Sequence, residues 1–144
     1  MEELVGPTLV GKDGPVPTAS INARYILLYF SAHWCPPCRG FTPKLGMFYD
    51  AVNAQQKQVE VIYVSRDKNP DQFNEYFLEM PWIALPYEDK ARVAALGQRY
   101  QIQQIPCLVL IDREGNMKRN TCRMDVTNKG PLCLPDWEQA LTRP

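Results

Sequence analysis

Two cysteines three residues apart, in Trp34-Cys35-Pro36-Pro37-Cys38, are the residues of this chain best suited to chemistry. They follow an apolar run of strand length and open a segment with helical spacing. Free backbone N–H groups and the positive end of the dipole at a helix N-terminus favour a thiolate, so Cys35 is the expected nucleophile. Cys38 lies one turn further in, on the apolar stripe, and is expected to be the less exposed thiol. A disulfide between them closes too small a ring to stabilise the chain, so its use is electron transfer. Pro36 and Pro37 stiffen the loop and have no backbone N–H to donate to Cys35, and Arg39 adds positive charge beside the pair. The expected cycle has Cys35 attack a substrate disulfide and form a mixed disulfide. Cys38 then displaces the reduced substrate, and an external dithiol resets the oxidised pair. The competing reading is half a zinc site, but zinc takes four ligands, commonly as two close pairs. Cys107, Cys122 and Cys133 supply no second close pair, and His33 has no histidine partner.

A second signal is Gln104-Ile105-Pro106-Cys107, just ahead of a strand pattern. Proline cannot donate to a sheet ladder, so a proline at a strand start carries information. One reading is a cis Ile105–Pro106 bond beside the dithiol, with the Ile105 backbone pairing with an extended substrate. On these residues alone an ordinary trans proline at a strand edge is favoured, because cis X–Pro bonds are only about 5–6% in folded proteins.

These residues need elements to hold them. Arg24–Ser31 is a continuous apolar run that predicts a strand buried on both faces. Cys38, Phe41, Leu45, Phe48 and Val52 form one stripe of a helix from Cys35 to about Ala54, with Pro43 expected to bend it. Val59–Ser65 predicts a second strand, making a parallel strand–helix–strand unit. Further helices are expected over Pro70–Glu79, Glu88–Tyr100 and Pro135–Thr142. A third strand is expected at Cys107–Asp112, with a hairpin partner at Met117–Cys122 across Glu114-Gly115-Asn116. Met80–Pro86 is expected to be a proline-bounded apolar loop, Thr127–Leu134 a loop, and Thr8-Leu9-Val10 a short strand before a turn. The sum is an α/β fold, a central mixed sheet flanked by helices, in one domain over 1–144 whose first 22 residues form an N-terminal hairpin extension.

Composition sets the outer bounds. A chain of 144 residues can bury roughly 70% of its unfolded surface, so disulfide staples are not required. Its 16 Lys+Arg and 16 Asp+Glu cancel, which argues against nucleic acid as the main partner. No run of about 18 apolar residues is present to span a membrane. The acidic start, Met1-Glu2-Glu3-Leu4, is not a secretory or transit signal. It favours a reducing compartment, the cytoplasm or nucleus, where five cysteines are expected to be catalytic, metal-binding or free rather than structurally bridged.

The strand ending in Trp-Cys-x-x-Cys, Pro43 five residues after Cys38, and Ile-Pro before a late strand resemble the thioredoxin superfamily. Tyr29–Pro43, Val61–Ser65 and Met80–Tyr87 look most like the tryparedoxin and nucleoredoxin family, and the likeness runs from about residue 4 to 141. The resemblance implies the thioredoxin fold, a cis Pro106, Cys35 as nucleophile and Cys38 as resolving thiol in a protein-disulfide oxidoreductase. Trp34, Pro36, Pro37, Ile105 and Pro106 are the expected substrate contacts, with Arg39, Arg66 and Asp67 modulating. Expected partners are disulfide-containing proteins such as peroxidases, and the expected donor is trypanothione, glutathione or another thioredoxin system. No bound cofactor or metal is implied, and a monomer is expected. Arg66-Asp67-Lys68 stands where tryparedoxins typically carry Trp-Asp-Glu, so cationic trypanothione is expected to couple poorly. Tyr29 stands where thioredoxins carry a buried aspartate, leaving no carboxylate there for the Cys38 proton.

Of the remaining residues, Trp82 is expected to pack, His33 to be solvated, and Cys107 to be a small buried residue near the dithiol. Cys122 and Cys133 stay unassigned, with a bridge between them open only in an oxidising setting. A second function class also stays open, a redox-responsive binding module whose dithiol state gates a partner.

Overall fold

The computed structural model describes all 144 residues. A short helix α1 (Glu2–Val5) leads into the hairpin β1 (Thr8–Gly11) and β2 (Gly14–Pro17), which turns at Gly14 with φ +127°. Then come β3 (Tyr25–Ser31), α2 (Pro36–Val52), β4 (Val59–Ser65), α3 (Pro70–Phe77), β5 (Ile83–Ala84) and α4 (Lys90–Arg99). The chain ends with β6 (Cys107–Ile111), β7 (Met117–Arg119), α5 (Cys122–Lys129) and α6 (Leu134–Thr142). All seven strands join one sheet in the order β2-β1-β5-β4-β3-β6-β7. β3 runs parallel to β4 and antiparallel to β6, so the sheet is mixed, as expected from the sequence.

β3 and β4 are buried at every residue because helices cover both sheet faces. Their side chains alternate between two cores. Tyr25, Leu27, Tyr29, Val61 and Tyr63 point to the larger one, with α2, α3, α5 and α6. Ile26, Leu28, Phe30, Ile62 and Val64 point to the smaller one, with α1 and α4. Glu60 is the one charged residue in β4, and it is tolerated at 6% exposure because Tyr49 and Lys57 both bond its carboxylate.

Three segments differ from expectation. The Met80–Pro86 stretch, expected as loop, contains β5, which pairs with β4 on one side and through Ala84 with Val10 of β1 on the other. Two residues between flanking prolines are too short for a period-2 signal, yet they join the N-terminal hairpin to the sheet. The stretch after β7, expected as strand to Cys122 and then loop, is helix α5 from Cys122. Its inward positions are Cys122, Asp125 and Val126, so no apolar stripe announces it. The first turn of the chain is helical as well, with Val5 buried under it. No helix is long and apolar enough to cross a membrane.

Candidate active site

The dithiol sits where β3 hands over to α2. Cys35 is the N-cap of that helix, with extended backbone (φ −95°, ψ 110°), and its sulfur accepts the Cys38 N–H at 3.4 Å. Pro36 and Pro37 fill the first turn, where a missing N–H forfeits no helical bond. Cys35 is 5% exposed and Cys38 fully buried, the order expected from the stripe. Both thiols are free. The Ile105–Pro106 bond is cis, and the Ile105 carbonyl lies 3.8 Å from the Cys35 sulfur. The structure thus brings Cys35, Cys38, Ile105 and Pro106 together, with Pro36 and Pro37 exposed on the open side.

Burial pushes the Cys38 thiol up to about 11, the neighbouring Cys35 adds to the rise, and the Ser31 hydroxyl pulls the other way. Behind Cys38 lies a chain of hydroxyls. Ser31 bonds Tyr76 (2.9 Å), Tyr76 bonds Thr42 (2.5 Å), and Thr42 bonds Tyr29 (2.7 Å) and the Cys38 carbonyl (3.0 Å). Burial raises the pKa of both Tyr29 and Tyr76 above the usual phenol value, that of Tyr29 by far the more. Sequence reasoning singled out Tyr29 and missed the other three. Thr42 was findable, because a polar residue four positions after Cys38 falls on the buried stripe.

A second loop forms one wall. The Trp34 indole N–H donates to the Arg66 carbonyl at 2.8 Å, and the His33 N–H donates to Asp67 Oδ1 at 2.6 Å. Asp67 Oδ2 accepts from the Tyr63 and Ser65 hydroxyls at 2.6 and 2.7 Å. The Asp67 carboxylate is therefore turned inward at 5% exposure, not displayed as a charge on the dithiol rim. Nor is His33 a solvated side chain. Its ring is half-buried and stacks on Tyr76 with centroids 5.2 Å apart, because the Asp67 bond draws its backbone inward.

Trp34 keeps 44% of its surface exposed, with the Lys68 ammonium 5.3 Å from its ring. Arg66 folds back toward α4, where Gly97 leaves room for its guanidinium beside the Ile102 carbonyl (3.5 Å). Arg39 is exposed, and its backbone N–H bonds the Cys35 carbonyl at 3.1 Å. Cys107 pairs with Phe30 across the sheet next to Pro106 and is half-buried rather than fully enclosed. Burial raises its pKa, while Arg66 and Arg123 partly offset the rise. Trp82 packs edge-on against Tyr29 and Tyr49, 1% exposed, as expected. Cys122 and Cys133 are free, fully buried members of the larger core. No group of three or more His, Cys, Asp or Glu side chains could hold a metal ion.

The Thioredoxin-like family model matches residues 22–117. The chain is 42% identical over 106 residues to a tryparedoxin of Trypanosoma brucei brucei, covering 74% of this chain and 73% of that protein. It is 39% identical over 136 residues to a nucleoredoxin of Danio rerio, covering 94% of this chain but spanning only 32% of that protein's length. Among solved structures, a tryparedoxin from Trypanosoma brucei superposes with a TM-score of 0.84 at 36% identity, covering 92% of both chains. Strand order, dithiol position and these matches agree, and the chain belongs to the thioredoxin-like family, in the company of the tryparedoxins and nucleoredoxins.

Proposed function

We propose that the protein is a thiol–disulfide oxidoreductase that reduces protein disulfides through Cys35 and Cys38. The observation that carries this is the placement of the Cys35 sulfur. It lies at the N-cap of α2, accepts the Cys38 N–H, and faces the Ile105 carbonyl of the cis-proline turn. Cys35 as thiolate attacks one sulfur of a substrate disulfide, and the other leaves as a thiolate that takes a proton from water. Cys38 then gives up its proton and attacks the Cys35 sulfur, releasing the second substrate thiolate. Two electrons have passed to the substrate, and Cys35–Cys38 is oxidised. Substrate chain lies along Ile105 and Pro106, with Trp34 and the Pro36-Pro37 edge flanking it. A thiol donor resets the pair, either two glutathione molecules that leave as glutathione disulfide or the dithiol of a thioredoxin system, and cationic trypanothione is the weakest donor beside Lys68.

The test is insulin reduction with dithiothreitol as donor. Wild type should accelerate precipitation of the insulin B chain, and Cys35→Ser should return the rate to that of dithiothreitol alone. Absence of acceleration by wild type would overturn the proposal and leave a redox-gated binding module as the better reading.

A further inference from the structure

The chain has no net charge, but its charge is unevenly spent. Arg24, Lys57, Arg92, Arg119 and Lys129 each hold a carboxylate. Of the eleven cations that hold none, four border the dithiol. Lys68 stands over the exposed Trp34 ring, and Arg39 follows Cys38 on the outer side of the helix turn. The Arg123 guanidinium lies 6.0 Å from the Phe41 ring and close enough to Cys107 to act on its thiol, as does Arg66. Cys107 adjoins Pro106, so these two guanidinium groups flank the turn that walls the Cys35 sulfur. The rim's own carboxylate, Asp67, is buried with both oxygens occupied. The next acid along the chain, Asp71, belongs to the first turn of α3.

A group of unpaired cations beside a reacting sulfur attracts acidic chain and repels basic chain, most strongly at low salt. We propose that this face selects disulfides flanked by acidic residues, with Lys68, Arg39 and Arg123 as the selecting groups and Arg66 acting from the far side of Cys107. The inference rests on Cys35 being the nucleophile. Its step is the exchange already written, in which the acidic peptide's disulfide accepts the two electrons and leaves as two thiols.

Three symmetric disulfides separate the possibilities, those of acetyl-Glu-Cys-Glu-amide, acetyl-Gln-Cys-Gln-amide and acetyl-Lys-Cys-Lys-amide. Oxidation of the reduced full chain is followed by tryptophan fluorescence. Each second-order rate is divided by that of free dithiothreitol with the same peptide, which removes leaving-group differences. The Glu peptide should outrun the Lys peptide by about tenfold or more at low salt. The ratio should shrink toward unity at about 1 M salt, where the screening length is about 3 Å. A Lys68→Glu, Arg123→Glu double variant should invert the order, and the single variants Lys68→Gln and Arg123→Gln should each narrow it. A wild-type ratio within twofold of unity at low salt, or a preference for the Lys peptide, would overturn the selection. Failure of all three peptides to oxidise the wild-type protein would instead overturn the oxidoreductase reading itself.

Discussion

In the proposed exchange Cys38 is the resolving thiol, which must lose its proton before it can attack, and burial holds that proton up to about pH 11. No carboxylate touches it. What does lie beside it is Ser31, the near end of the hydroxyl chain through Tyr76 and Thr42 to Tyr29. Tyr76 is the link, since its hydroxyl bonds both Ser31 and Thr42. Tyr76→Phe breaks the chain while keeping the ring that supports His33. The expected result is a slower second step with the first unchanged. Ellman's reagent resolves the two, because mixed-disulfide formation and its resolution each release one chromophore. The second release should slow by roughly three- to tenfold, less than the 10²–10⁴ of a full general base. An unchanged second release would show that the hydroxyl chain carries no proton. Loss of the two bonds should lower stability by only about 1–2 kcal/mol, so the variant folds and the kinetic comparison is fair.

The same site shows, element by element, what could be foreseen. β3, α2, β4 and the cis-proline entry to β6 carry the dithiol. An apolar run or a helical stripe marks the first three. A proline at a strand start marks the fourth, but its cis bond followed only from the family resemblance, because the residues alone favour trans. The wall made by the loop after β4 was not legible. Its ties are a main-chain N–H at His33 and a main-chain carbonyl at Arg66, and backbone partners leave no trace in residue type. Helix α5 escaped for another reason, since it packs inward through a carboxylate. Asp125 is 8% exposed and receives two bonds from Arg119 (2.7 and 3.0 Å) and one from the Trp137 indole N–H (2.9 Å). These bonds join β7, α5 and α6 at the end of the sheet. Asp125→Ala should orphan both donors and lower stability by about 2–4 kcal/mol in urea unfolding. Insulin reduction per folded molecule should stay within twofold, because the cluster touches neither thiol. A stability loss below about 0.5 kcal/mol would mean that apolar packing of Trp137, and not the carboxylate, holds α5 and α6 in place.

At the scale of the molecule, the two faces of the sheet differ in what they bury. The larger core holds Tyr25, Tyr29, Tyr49, Tyr63, Tyr76, Cys122 and Cys133, and the smaller one is mainly aliphatic. Burial raises the pKa of every one of those seven groups. Tyr49 and Cys133 rise to about 12. Each group is neutral when protonated, so the folded state keeps protons that the unfolded chain releases, thiols from about pH 8.5 and phenols from about pH 10. Stability linked to these groups is therefore fully present below about pH 8.5 and is lost as pH rises beyond it. The reduced protein should show a constant urea midpoint from pH 7 to about 8.5 and a falling one from there to pH 10. Thiols dominate the first part of that fall, because they ionise in the unfolded chain before the phenols do. A Cys122→Ala, Cys133→Ala variant should start from a lower midpoint and lose less of it between pH 8.5 and 9.5. A wild-type midpoint that stays flat to pH 10 would sink this account. It would mean that the larger core takes in water around its hydroxyls and thiols, and so holds their protons no more tightly than the unfolded chain does.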